Sequence, residues 1–297
     1  MNAILQINNL SKKYPKLFAI KDLNLSIEKG SVFGLLGPNG SGKTTTLSII
    51  LGVTNPTAGS FSWFGKTNKS KDRKKIGALL ETPNFYDYLS AENNLRITAK
   101  IKGVNRQDII RVAKLVTLED RLSDKFSTYS LGMKQRLAIA AALLGSPEVL
   151  ILDEPTNGLD PQGIAEIRNV IQRVSKNGVT ILLASHALDE VEKVCTHVCV
   201  VKNGESLVQG NVKTVIKGEN LIEVSSVNKE ALRKEINAFT GTKSIKEENH
   251  YFVVSLDQTI NSSDFNAFLI SRKIVVNHFV VKKKSLEEFF LETTSND

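Results

Sequence analysis

Gly37-Pro38-Asn39-Gly40-Ser41-Gly42-Lys43-Thr44 follows the short apolar run Ser31–Leu36 and opens a stretch, Thr44 to about Leu51, that reads as a helix stopped by Gly52 and Pro56. The octet fits G-x-x-x-x-G-K-[ST], with the strand before it and the helix after it that the pattern requires. Its glycines let the backbone curl until several N–H groups point at one phosphate, and the helix N-terminus adds partial positive charge. Lys43 is placed to neutralise the β- and γ-phosphates of a nucleotide, and the Thr44 hydroxyl to ligate Mg²⁺. The expected nucleotide-binding set is Gly37, Asn39, Gly40, Ser41, Gly42, Lys43, Thr44 and Thr45.

A second apolar run, Val149-Leu150-Ile151-Leu152, ends in Asp153-Glu154. Two adjacent acids at the exit of a buried strand are poor core residues. Asp153 suits a Mg²⁺ ion held through a water, and Glu154 suits a general base polarising an attacking water. Acids are common in such loops; it is the combination with a phosphate loop that points to hydrolysis.

Further outward, Ile4–Leu10 and Phe18–Ile27 alternate as strands. From Pro83 to Gly145 the texture is helical: Ser90 opens one helix that Gly103 ends, Asn105 caps a second, and Ser130 starts a third. Strand and helix then alternate through Gly163–Ser175, Thr180–Ala184 and Leu188–Val194, and Asn203-Gly204 marks a hairpin between Val198–Val201 and Glu205–Gln209. Near-continuous apolar strands separated by helices predict a mainly parallel sheet covered on both faces. Beyond Gly218 the order Leu221–Ser225, Lys229–Phe239, Thr242–Lys246, Tyr251–Leu256, Ser263–Ser271, Ile274–Val281 predicts a small β-α-β-β-α-β unit, closed by a helix from Ser285.

Between the two nucleotide motifs stands Tyr129-Ser130-Leu131-Gly132-Met133-Lys134-Gln135-Arg136. A helix cap explains Ser130 alone but not the Gly-x-Lys-Gln-Arg after it. With this segment in place, residues 1–215 resemble the ATP-binding cassette (ABC) ATPases, whose signature motif the segment is similar to. The resemblance implies an α/β P-loop NTPase with a mixed core sheet and a helical subdomain near 84–145, in a domain spanning 1–217, followed by a small α+β domain, 218–297. It implies ATP with Mg²⁺ as cofactors, and a homodimer in which Ser130 and Gly132 of one copy face the γ-phosphate held by the other. Pro155–Asp160 resembles the D-loop of the family, His186 its switch histidine, and Tyr14 the aromatic that stacks on adenine; a surface Tyr before Pro15 is the plainer alternative. Glu81 stands where the family keeps Gln beside Mg²⁺ and the attacking water, and would add a catalytic and metal-side carboxylate. Glu81-Thr82-Pro83 resembles the subgroup conferring resistance to bacitracin and lantibiotic peptides, which points to peptide export. Lys284–Phe290 resembles the closing helix of extensions on ATPases that serve ABC-2-type permeases.

Bulk composition bounds these readings. The 297 residues are 41% hydrophobic and 24% charged, ordinary for a globular chain. No run approaches the ~20 apolar residues of a membrane helix, and Met1–Leu10 has no basic-then-apolar leader pattern, so a cytoplasmic protein reaching the inner membrane face through its permease is expected. The net charge of +8 resides in the first unit, densest at Lys66, Lys69, Lys71, Arg73, Lys74 and Lys75. Aromatics do not interleave that run, so a solvated or membrane-proximal face is expected and a nucleic acid is not. Cys195 and Cys199 read as buried reduced thiols, although their spacing also fits one helix face. A non-transport ABC ATPase acting on DNA or the ribosome shares all the nucleotide motifs, but tandem cassettes, coiled coils and zinc-finger insertions are absent from the sequence. A kinase would leave the signature segment unexplained.

Overall fold

A computed structural model describes residues 3–15, 17–67, 70–80, 83–216, 220–248, 250–257, 259–282 and 285–294. The chain divides into two compact units, Met1–Val212 and Lys213–Asp297. The boundary expected between 217 and 218 lies outside the described residues.

The strands of the first unit are β1 (Ala3–Tyr14), β2 (Leu17–Glu28), β3 (Val32–Leu36), β4 (Ala58–Trp63), β5 (Lys66–Thr67), β6 (Ile76–Leu79), β7 (Val149–Asp153), β8 (Thr180–Ser185), β9 (His197–Lys202) and β10 (Glu205–Asn211). Six form one sheet in the order β10-β9-β3-β8-β7-β6, parallel except for the β9–β10 hairpin at one edge. Every residue of β3, β7 and β8 is buried, as strands covered on both faces must be. Asn203 and Gly204 take φ of 51° and 82°, the positive pair that a two-residue hairpin turn demands.

The opening strands do not join that sheet. They build a separate antiparallel one, β2-β1-β4-β5, whose inward side chains share an apolar cluster with Leu47, Ile49 and Ile50 of helix Lys43–Ile50 and with Val149 and Ile151 of β7. Trp63 is buried in this cluster, and its Nε1–H donates to the Ile50 carbonyl at 2.8 Å, which ties β4 to the end of the helix that follows the phosphate loop.

Among the described residues three α-helices lie between β6 and β7, Ala91–Lys102, Arg106–Leu115 and Leu131–Leu143, capped by Ser90, Asn105 and Ser130 through their side-chain oxygens. Gly103 ends the first in a left-handed turn, and cations close the other ends of the second and third. Lys102 Nζ donates to the carbonyls of Ala141, Ala142 and Leu144, and burial holds its pKa below the ordinary lysine value. Arg136 donates likewise to Val116 and Thr117. Helix Pro161–Lys176 starts two residues before its expected first residue, Gly163, because Asp160 caps it and Pro161 fits the first turn. It buries Ile167, Val170, Ile171 and Val174 at helical spacing.

The thiols do not share a helix face. Cys195 ends helix Leu188–Val194 and Cys199 lies in β9; both are buried and free. Burial raises both pKa values, that of Cys199 to about 11 despite a hydrogen bond with Ser206. Among the described members of the basic run, Lys75 pairs with Glu148 at 2.9 Å, and this partner raises its pKa.

The second unit contains β11 (Asn220–Ser226), helix Lys229–Ala238, β12 (Thr242–Glu248), β13 (Tyr251–Leu256), helix Ser262–Ser271, β14 (Val276–Lys282) and helix Leu286–Thr294. Its sheet runs β12-β13-β11-β14, with each neighbouring pair antiparallel. Leu232, Ile236, Phe265 and Leu269 from the first two helices pack with Ile222, Val224, Phe252 and Val254. Ser285 and Glu288 form a reciprocal capping box for the last helix.

Candidate nucleotide site

Parallel strands deliver their outgoing loops to one edge of a sheet. Here Leu36 pairs with Ser185 and Asp153 with Ala184, so the loops after β3, β8 and β7 leave side by side and carry Gly37–Gly42, His186 and Glu154 to the same place. Two glycines of the first loop have no substitute. Gly42 has φ of 103° and a Cβ there would stand 2.3 Å from the Ala19 carbonyl oxygen; at Gly37 it would stand 2.3 Å from the Val201 carbonyl.

Lys43 is almost fully buried. Its Nζ donates to the Gly37 and Pro38 carbonyls at 2.7 and 3.2 Å and lies 3.4 Å from Glu154 Oε1. Glu154 Oε2 meets His186 Nδ1 at 2.8 Å, so one carboxylate bridges the lysine and the histidine. Glu154 has φ of 46°, uncommon for a side chain of its size, and its N–H donates to the Ala184 carbonyl of β8. Asp153 is buried at the end of β7. Gly42, at the N-cap of helix Lys43–Ile50, offers no side-chain acceptor, and the buried Ser41 hydroxyl has no hydrogen-bond partner among the described residues. Thr44 is exposed and Thr45 half-buried in the first turn of that helix, and Asn39 and Gly40 form the exposed crest of the loop.

Ser130 and Gly132 lie elsewhere. With Leu131, Arg136, Asp160 and Gly163 they line an open pocket of about 500 Å³ that no phosphate-loop residue enters. Ser130 Oγ accepts from the Met133 N–H at 3.3 Å, and a Cβ at Gly132 would be 3.7 Å from the Gly163 Cα, so two helix starts meet closely there. Sequence reasoning missed Gly163 as part of this wall. The signal was available, because a glycine inside a helix costs about 1 kcal/mol against Ala and therefore marks a close approach. Tyr14 ends β1 half-exposed, with Lys12 Nζ 5.2 Å from its ring centroid. It pairs with Leu17 of β2, the strand whose Ala19 abuts Gly42, and so flanks the loop. Glu81 lies outside the described residues.

Residues 20–157 match the ABC transporter family, and the chain is 35% identical to the bacitracin transport ATP-binding protein BcrA of Enterococcus faecalis over 98% of its own length and 96% of the relative's. The chain belongs to the ABC transporter ATP-binding proteins. This ABC protein is also 39% identical to the lantibiotic transport ATP-binding protein SrtF of Streptococcus pyogenes, over 74% of this chain and 95% of that one. Among solved structures it resembles the dimeric post-hydrolysis state of the cassette MJ0796 with ADP and phosphate, at a TM-score of 0.62 and 26% identity, covering 70% of this chain and 98% of that one. As an ABC ATP-binding subunit it binds ATP and hydrolyses it to power transport. No helix among the described residues is long and apolar enough to cross a membrane.

Proposed function

We propose that this subunit works as a homodimer in which each ATP is held by the phosphate loop of one copy and the signature end of the other, and that it drives a separate ABC-2-type permease exporting peptides of the bacitracin or lantibiotic kind. The observation that carries the reading is the Lys43–Glu154–His186 chain of contacts at the mouth of the loop. Alone, each of these side chains has an ordinary structural explanation; together they form a charge-balanced cradle with uncapped N–H groups pointing from a helix start. Lys43, held by loop carbonyls, is poised to turn from Glu154 to the β- and γ-phosphates. Ser41, Gly42, Thr44, Thr45 and the loop N–H groups bind the phosphates; Tyr14 stacks on the base. Released from Lys43, Glu154 takes a proton from the attacking water, and His186 orients Glu154 and contacts the γ-phosphate. The hydroxyl of Thr44 and the carboxylate of Asp153 are hard oxygen donors that fit Mg²⁺, which would neutralise charge on the phosphates.

The signature end offers a hydroxyl and a helix start, a set that suits the γ-phosphate of a nucleotide held by a second copy. The peptide cargo and permease class rest on the bacitracin and lantibiotic relatives; attachment to the permease would hold the subunit at the inner membrane face. Glu154→Gln tests the site: hydrolysis should fall on the order of 10²- to 10⁴-fold with nucleotide binding kept. Unchanged turnover would remove Glu154 from its role.

A further inference from the structure

The two loops that carry Glu154 and His186 share a floor. Pro155 and Thr156, which follow Glu154, and Ser185, which precedes His186, close over Arg168 and Glu190 together with Ile171 and Leu183. Arg168 lies in mid-helix on Pro161–Lys176, the helix that Asp160 caps, and Glu190 lies on Leu188–Val194, the helix that begins two residues after His186. The contact is two-pronged: Arg168 Nε to Glu190 Oε2 at 2.9 Å and Nη2 to Oε1 at 2.8 Å. A planar fork on a carboxylate fixes orientation as well as distance. Neither side chain is freely solvated, with 28% and 17% exposed. Burial alone would raise the Glu190 pKa, but Arg168 and Lys193 outweigh it and hold the carboxyl below its ordinary value, so the pair is ionised.

We propose that Arg168 and Glu190 are positioning residues for hydrolysis, a clamp that locks the His186 helix to the D-loop helix and thereby holds His186 against Glu154. This rests on the site reading above and deepens it. Neither residue reaches the phosphate loop, so nucleotide affinity stays outside their influence. What they control is the 2.8 Å contact between Glu154 and His186, residues whose loops run directly into the two helices they join. Their link to Asp160 and Gly163, at the start of the same helix, also gives the pocket around Ser130 a rigid path to the histidine loop.

The test uses the full-length chain, steady-state ATPase kinetics, binding of a fluorescent ATP analogue and thermal melting. In the double variant Arg168→Leu/Glu190→Leu the half-buried pair gives way to apolar side chains of similar bulk, an exchange that tends to preserve stability where ion pairs are largely desolvated. The clamp predicts a wild-type melting temperature and analogue affinity with kcat at least about tenfold lower, because displacing catalytic groups by an ångström costs up to on the order of a hundredfold. Arg168→Lys, which keeps the charge but loses the fork, should recover part of that loss. A double variant with wild-type kcat would overturn the proposal, as would losses of kcat, affinity and melting temperature in parallel. Glu154→Gln and His186→Ala, measured alongside, separate the two levels. If they still turn over, the site reading fails; if they are inactive while the Leu/Leu variant is fully active, only the clamp fails.

Discussion

The phosphate-loop end and the signature end of this subunit have opposite constructions. At the first, charge is internally answered: Lys43 sits on loop carbonyls and Glu154, and Glu154 on His186. At the second, Ser130 is exposed, Leu131 presents 49% of its surface, and Arg136 is already engaged by Glu166 and by two carbonyls. One end is a charged cradle set in the buried edge of a sheet; the other is a helix tip with small residues, open to solvent. An open end of this kind fits the proposed role of meeting a phosphate that a second copy carries.

Thiol labelling gives the largest contrast between them. Cys195 packs against Gly34 of β3 and Cys199 pairs with that strand's neighbourhood from β9, both with pKa raised by burial. At pH 8 an Ellman-type reagent should modify them a hundredfold or more slowly, as an order of magnitude, than a Cys placed at Leu131→Cys. Comparable rates would mean that the strands beneath the phosphate loop open readily.

Next in size is Lys43→Ala. Hydrogen bonds to charged groups contribute about 1.5–3 kcal/mol, so nucleotide affinity should drop roughly ten- to a hundredfold by equilibrium titration. Undiminished affinity would disconnect Lys43 from the phosphates.

Ser130→Ala should act differently. Loss of the cap costs about 1 kcal/mol and lowers the melting temperature by roughly 2–4 °C. Nucleotide affinity of the single subunit should remain, while turnover falls. If affinity fell as far as in the Lys43 variant, the two ends would not be separate.

The smallest effect lies at the far end of β7, where Glu148 precedes Val149. Hydrogen bonds from Lys75 and Lys29 hold its carboxyl below the ordinary value of 4.5. A depressed folded pKa means stability that is present above the unfolded value and lost as pH falls through the folded one. Urea midpoints of the parent should therefore decline more steeply below about pH 4.5 than those of Glu148→Gln. Parallel curves would show that the ion pair contributes nothing.

What was legible in the sequence follows the same division between local and distant causes. Val149–Leu152 and Thr180–Ala184 announce buried parallel strands because both faces are apolar, and Ser90, Asn105 and Ser130 announce helix starts because caps act within three residues. β4 was not anticipated: Gly59, Ser60 and Ser62 are poor strand formers, and the segment is held by pairing with β1, far away in sequence. β6 is four residues with a central Gly77, made a strand by β7. β1 runs four residues past its expected end at Leu10 because the irregular pairing with β2 carries it to Tyr14. In the site, the loop and acids were legible as motifs, but the Lys43–Glu154 and Glu154–His186 contacts join segments that only the strand order β3-β8-β7 brings together. The Arg168–Glu190 clamp likewise has no signature in spacing, since it links two helices across β8.

The measurement that tests the composite site most directly is sedimentation of Glu154→Gln with Mg-ATP, with and without Ser130→Arg added. Two half-sites that complete each other predict a dimer retaining two nucleotides for the single variant, and a monomer for the double variant at the same nucleotide concentration. A single variant that binds ATP yet stays monomeric over the whole accessible concentration range would contradict the account.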